Sequence, residues 1–153
     1  MMSSGFLKAL LLVTVLACGS ARAADAWSHL TDWDGKYPSD QVGATKAGLL
    51  DQPALRAALK KLLPRAEAGT LAKLDVEAPV KKSGDYLLVN KCRPNNCAAD
   101  MALIVIDLKT QKLWAGFFSR EDGRASTRWY GSADDYSVLP EDIRKEFLSR
   151  HGD

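Results

Sequence analysis

Cys92 and Cys97 enclose four residues in the run CRPNNC, and thiols at that spacing could form a disulfide, bind a metal or carry redox chemistry. A structural zinc site usually takes four ligands, and the only histidines, His29 and His151, lie near opposite ends of the chain. Redox dithiols normally use a two-residue spacer, whereas this pair has four. The remaining reactive groups form no constellation. Ser28 adjoins His29, but adjacency in sequence is not the hydrogen-bond geometry of a nucleophile and its base. His151 stands beside the C-terminus, a position prone to fraying. The acid pairs Glu121-Asp122 and Asp134-Asp135 lie in turn-like segments, while acid–base catalysis needs carboxylates driven apart in pKa by burial. No Gly-x-Ser-x-Gly, Walker loop or His-Glu-x-x-His occurs. The run DWDG at Asp32 starts like a calcium loop, but its glycine comes too early and Gly43 stands where the closing glutamate belongs. The expectation is a protein that is not an enzyme, with no catalytic residue, no metal and no cofactor.

The fate of the thiols depends on the compartment. Lys8 followed by ALLLVTVLA and then Ala21-Arg22-Ala23 has the layout of a secretory signal: a positive start, a short apolar core and a small-x-small cleavage site. The apolar run falls well short of the roughly 20 residues of a membrane span. Val15-Leu16-Ala17-Cys18 resembles a lipoprotein processing site that would lipidate Cys18. Leu16 is unusual there, so the reading favours cleavage after Ala23. Residues 1–23 are then the signal peptide, and 24–153 form one domain of 130 residues, enough for one real core and too few for two. Removing Lys8 and Arg22 brings 21 basic residues to 19, against 19 acidic ones. A neutral chain with no basic cluster gives no case for nucleic acid or an anionic membrane as partner. Cys18 departs with the signal, and in an oxidising exported compartment the isolated pair Cys92 and Cys97 is expected to form a disulfide.

The elements that must position this pair follow from periodicity. Trp27, Trp33 and Tyr37 are set among turn formers, an irregular lead-in whose aromatics are expected to pack onto the domain. DQPALRAALKKLLPRAEAG predicts a helix with Asp51 as N-cap, Pro53 in its first turn and Leu55, Leu59, Leu62 and Leu63 on one face. Pro64 closes it, and a short second helix is expected over residues 67–74. From about Pro79 the pattern changes to strands: DYLLVNK, MALIVID, LWAGFFS and TRWYG, with LKTQK and REDGRAS as turns. Residues 102–106 are apolar throughout and should form a central strand covered on both faces. PEDIRKEFL predicts a last helix turning Ile143, Phe147 and Leu148 to the sheet. The expected fold is α+β: an antiparallel meander of about five strands between N-terminal helices and a C-terminal helix, with CRPNNC as a clamped, protruding hairpin loop.

A preorganised loop loses less entropy on entering a cleft, so more of its contact energy becomes affinity. The alternative is a stapled turn in which Asn95 and Asn96 serve because asparagine tolerates left-handed backbone angles. The run Cys-Arg-Pro-Asn-Asn-Cys, between LLVNK and MALIVID, resembles the loop of the periplasmic inhibitor of vertebrate lysozyme family, Cys-Lys-Pro-His-Asp/Asn-Cys. The likeness runs through the meander and, more loosely, back to YPSD and the helix after it. It implies an exported α+β protein, often dimeric, whose loop plugs the active-site cleft of c-type lysozyme or a related peptidoglycan hydrolase. Cys92 and Cys97 match the clamp, Arg93 the basic residue, Pro94 the proline and Asn96 the polar residue before the second cysteine. Asn95 departs from the pattern: the family has a histidine there, reaching lysozyme's catalytic carboxylates. That departure keeps a second reading open, a relative that binds an endogenous lytic transglycosylase or peptidoglycan instead.

Overall fold

The architecture rests on alternation in three long strands. A computed structural model describes residues 27–131 and 136–149. The signal-like segment with Cys18, the pair Asp134-Asp135 and His151 lie outside the described residues. β1 (Val76–Glu77), β2 (Lys81–Ser83), β3 (Tyr86–Cys92), β4 (Asp100–Asp107), β5 (Lys112–Glu121) and β6 (Arg124–Gly131) form one antiparallel sheet. Its order is β1-β3-β4-β5-β6, with β2 also pairing on β3. Successive side chains point to opposite faces, so Ala102, Ile104 and Ile106 enter one apolar cluster while Met101, Leu103 and Val105 enter another. All eight residues of β4 are buried, as its uninterrupted apolar run requires.

Helices cover both faces. α1 (Pro53–Leu62) and α2 (Arg65–Leu71) follow the lead-in, and Leu55 and Leu59 pack with Trp27, Leu30 and Trp33 on the first face. α3 (Glu141–Ser149) lays Ile143 and Phe147 on the second face. Leu148 corrects the expectation, being 51% exposed. It adjoins Phe147 in sequence, and neighbouring positions on a helix point about 100° apart. Tyr37 also stays outside, at 48% exposure, while Trp27 and Trp33 are buried as expected.

Prolines set the helix boundaries more strictly than the apolar pattern suggested. Asp51 lies in a 3-10 turn, Leu49–Asp51, and the residue capping α1 is Gln52. Gln52 precedes Pro53, so its backbone is held extended (φ −56°, ψ 131°). Its buried amide donates to Thr45 Oγ1 and the Ala47 carbonyl. Leu63 is extended for the same reason, ahead of Pro64, and α2 begins at Arg65 and ends at Leu71, offset from the expected 67–74.

The sheet has six strands rather than about five. β1 and β2, separated by Pro79, are too short and too polar to show alternation, yet both pair on the edge of β3 and shield it. At the other end of the meander only Asp122 and Gly123 turn the chain, both with positive φ (49° and 75°). That is the twist a two-residue hairpin needs, and it places Arg120, Glu121 and residues 124–126 in strands rather than in a wide turn.

Candidate functional site

The loop joins β3 to the wholly buried β4. β3 and β4 pair from Tyr86↔Asp107 up to Cys92↔Met101, and the chain leaves the ladder only after Cys92. Arg93, Pro94, Asn95, Asn96, Cys97 and Ala98 are all exposed. Arg93 N–H still donates to the Asp100 carbonyl (3.0 Å), continuing the ladder one step into the loop. Asn96 N–H then donates to the Arg93 carbonyl (3.0 Å), closing a four-residue turn around Pro94 and Asn95. Pro94 presets the first central position, and Asn95 takes the second with φ 60°, the type II pattern of proline followed by a residue tolerant of left-handed angles. The Asn96 carbonyl accepts from both Ala99 and Asp100 N–H (3.0 Å each), a single helical turn that returns the chain to β4.

Two clamps fix this path. Cys92 and Cys97 are disulfide-bonded, with their Cα atoms 4.8 Å apart, as expected for the pair. The second clamp was not foreseen: the Asp100 carboxylate, 11% exposed, accepts from Asn96 Nδ2 (3.2 Å) and forms an ion pair with Arg93 Nε (3.1 Å), both through Oδ2. Its only signal in the sequence was an acid placed immediately before a wholly apolar strand.

The surroundings separate a frame from the tip. Lys91 Nζ pairs with Glu77 (3.2 Å) where β1 meets the base of the loop. Val76, Glu77, Ala78, Asn90 and Met101 line a groove of about 320 Å³ beside the disulfide. On the other side, Arg120 N–H donates to the Ala99 carbonyl (2.7 Å), so β5 supports the returning limb of the loop. A larger polar cleft of about 630 Å³ lies on the β5–β6 hairpin, lined by Ser119, Glu121, Asp122, Arg124, Ser126 and Arg128. Next to it, buried Glu67 of α2 accepts from Arg128 Nε, Arg128 Nη2 (3.3 Å) and Tyr130 Oη (3.0 Å). Burial, then the bond to Glu67, raises the Tyr130 phenol above its ordinary pKa. The same carboxylate holds the Arg128 guanidinium still more firmly protonated. Glu67 therefore has a structural assignment, tying α2 to β6. Glu121 and Asp122 are exposed at the hairpin tip, His29 is exposed in the lead-in, and neither joins the loop. Among the described residues no three His, Cys, Asp or Glu side chains converge as metal ligands, and no helix is long and apolar enough to cross a membrane.

The loop is thus an exposed polar turn held by two clamps at the end of a paired hairpin. The model of the family described as inhibitor of vertebrate lysozyme (Ivy) matches residues 54–151. The chain belongs to the Ivy family. The match spans α1 from its second residue, α2, all six strands, the loop and α3. Ivy proteins are inhibitors rather than enzymes. No curated protein and no solved structure matches the chain.

Proposed function

We propose that this chain is an exported inhibitor of c-type lysozyme or a related peptidoglycan hydrolase, occluding the target's cleft with the Cys92–Cys97 loop. The observation that carries the reading is the loop itself: six consecutive exposed residues, fixed by a disulfide and by Asp100 at the end of two paired strands, in a chain of the Ivy family. Pro94 and Asn95 form the tip, Arg93 and Asn96 flank it, and Cys92 and Cys97 hold its width. The loop is ordered before any partner arrives, so little conformational entropy remains to be lost on insertion. The signal-like residues 1–23 support cleavage after Ala23 and release into the periplasm, where the disulfide forms and where a lytic enzyme would be met.

Asn95 supports a second reading. A histidine at the tip can be charged and make charge-assisted hydrogen bonds to a carboxylate pair, whereas an asparagine amide donates as a neutral group. Arg93, two residues away, is already ion-paired with Asp100. A target other than c-type lysozyme, such as an endogenous lytic transglycosylase, would suit a neutral tip better.

Calorimetry of the mature chain with hen-type lysozyme, paired with a cell-wall lysis assay, separates the two. Binding with inhibition supports the first reading. No binding to lysozyme, together with recovery of an endogenous lytic enzyme from an envelope extract, selects the second.

A further inference from the structure

Asp100 makes four ties to the loop, two through its carboxylate and two through its backbone. Oδ2 accepts from Asn96 Nδ2 at 3.2 Å and forms an ion pair with Arg93 Nε at 3.1 Å. Its carbonyl accepts from Arg93 N–H, and its own N–H donates to the Asn96 carbonyl, both at 3.0 Å. The two side chains it holds stand on either side of Pro94-Asn95, while its own side chain is 11% exposed at the start of β4. The disulfide closes the ring between residues 92 and 97 but does nothing to orient the side chain of Arg93.

We infer that Asp100 is a positioning residue for recognition: it fixes both flanks of the tip and balances the charge of Arg93, so the loop meets its target with a neutral Pro94-Asn95 edge. The inference rests on the reading of the loop as the inhibitory element, and it names the chemistry that element offers. Arg93 remains half exposed, but its charge stands beside a carboxylate of the same molecule. The group free to enter a catalytic cleft is the Asn95 amide, which can donate to a carboxylate or accept from a protonated carboxyl. Arg93 then acts through the shape of the loop, not by contact with the target.

The test uses the full mature chain with its disulfide intact and the variants Asp100→Ala, Arg93→Ala and their combination. Asp100→Asn, which keeps the shape of the side chain, serves if the alanine variant does not fold. Hydrogen exchange reads the loop without any partner. In Asp100→Ala the amides of Asn96 and Ala99 should exchange at least about tenfold faster, while that of Ile104 in mid-β4 keeps its protection. Affinity for hen-type lysozyme reads recognition. Each single variant should bind about tenfold more weakly, the scale of ordering one or two side chains on binding, and the double variant no more weakly than the worse single one. Additive losses would show that Arg93 touches the target directly and would overturn the inference. Unchanged exchange would overturn it as well. If the native chain does not bind lysozyme, the reading as an inhibitor of c-type lysozyme fails, and the exchange experiment still decides whether Asp100 sets the loop.

Discussion

At the scale of single residues, Asn95 carries the sharpest question. Its φ of 60° is one that asparagine and histidine both adopt more readily than most residues. Exchange between them should leave the turn intact and change only what the tip presents. If the target's cleft holds a carboxylate pair, Asn95→His should bind more tightly by about 1–2 kcal/mol, the step from a neutral to a charge-assisted hydrogen bond, or roughly ten- to thirtyfold in Kd. The gain has a sign in pH: it should grow as pH falls through the ordinary histidine range near 6.5, whereas the Asn95 amide itself does not titrate. Titration calorimetry of both proteins at about pH 5.5 and 7.5 measures it, and equal affinities at both pH values would place residue 95 away from any carboxylate. The disulfide was legible in the sequence, because an isolated cysteine pair at this spacing suits neither zinc nor redox chemistry. Asp100 was not legible, since its role depends on a return path whose helical turn leaves no periodic trace in three residues.

At the scale of elements, the loop and the sheet contribute to different quantities. Closing a ring as small as residues 92–97 adds about 2 kcal/mol through the entropy of the unfolded chain, the same as burying a single leucine. The two apolar clusters bury several residues of that size in each of β3, β4 and β5. Replacing Cys92 and Cys97 together by serine should therefore lower the melting temperature by no more than about 10 °C, while weakening target binding by a larger factor than the lost stability explains. Differential scanning calorimetry beside a binding titration decides it, and proportionate losses would make the disulfide a purely structural staple. The strands β3 to β6 and the helices were readable because their apolar residues recur at periods of two and about 3.6. β1 and β2 were not, because strands of two and three residues are defined by pairing with β3 and not by their own composition. Asp122-Gly123 was recognised as a turn signal. The charged residues around it hid how closely β5 and β6 approach it, since exposed hairpin strands carry no apolar alternation.

At the scale of the whole molecule, the sheet sets the proposed inhibitory loop apart from the packing of α3. The loop leaves the sheet beyond Cys92↔Met101, whereas Asp142 of α3 meets Ser83 beside the β2–β3 turn at the opposite end (Oγ–Oδ2 2.9 Å). Gly116, in the middle of β5, allows α3 to seat. A Cβ there would stand 2.8 Å from Phe147 Cε2 and 2.9 Å from Trp129 Cη2, whose rings pack 4.4 Å apart centre to centre. Phe147 is fully buried, so its ring can yield only by shifting α3 or by leaving a favoured rotamer. Gly116→Ala should cost about 1–3 kcal/mol, the usual range for overpacking a filled core, despite alanine's advantage over glycine in strand propensity. The strain should fall on the face that α3 covers and spare the opposite cluster with Trp33 and Leu55. Well below the melting temperature the loop should then keep its path and the variant its native affinity for the target. Urea unfolding and a binding titration on the same variant measure the two effects. A loss of affinity matching the loss of stability would mean that the sheet transmits strain from α3 to the loop, making recognition depend on the far end of the domain.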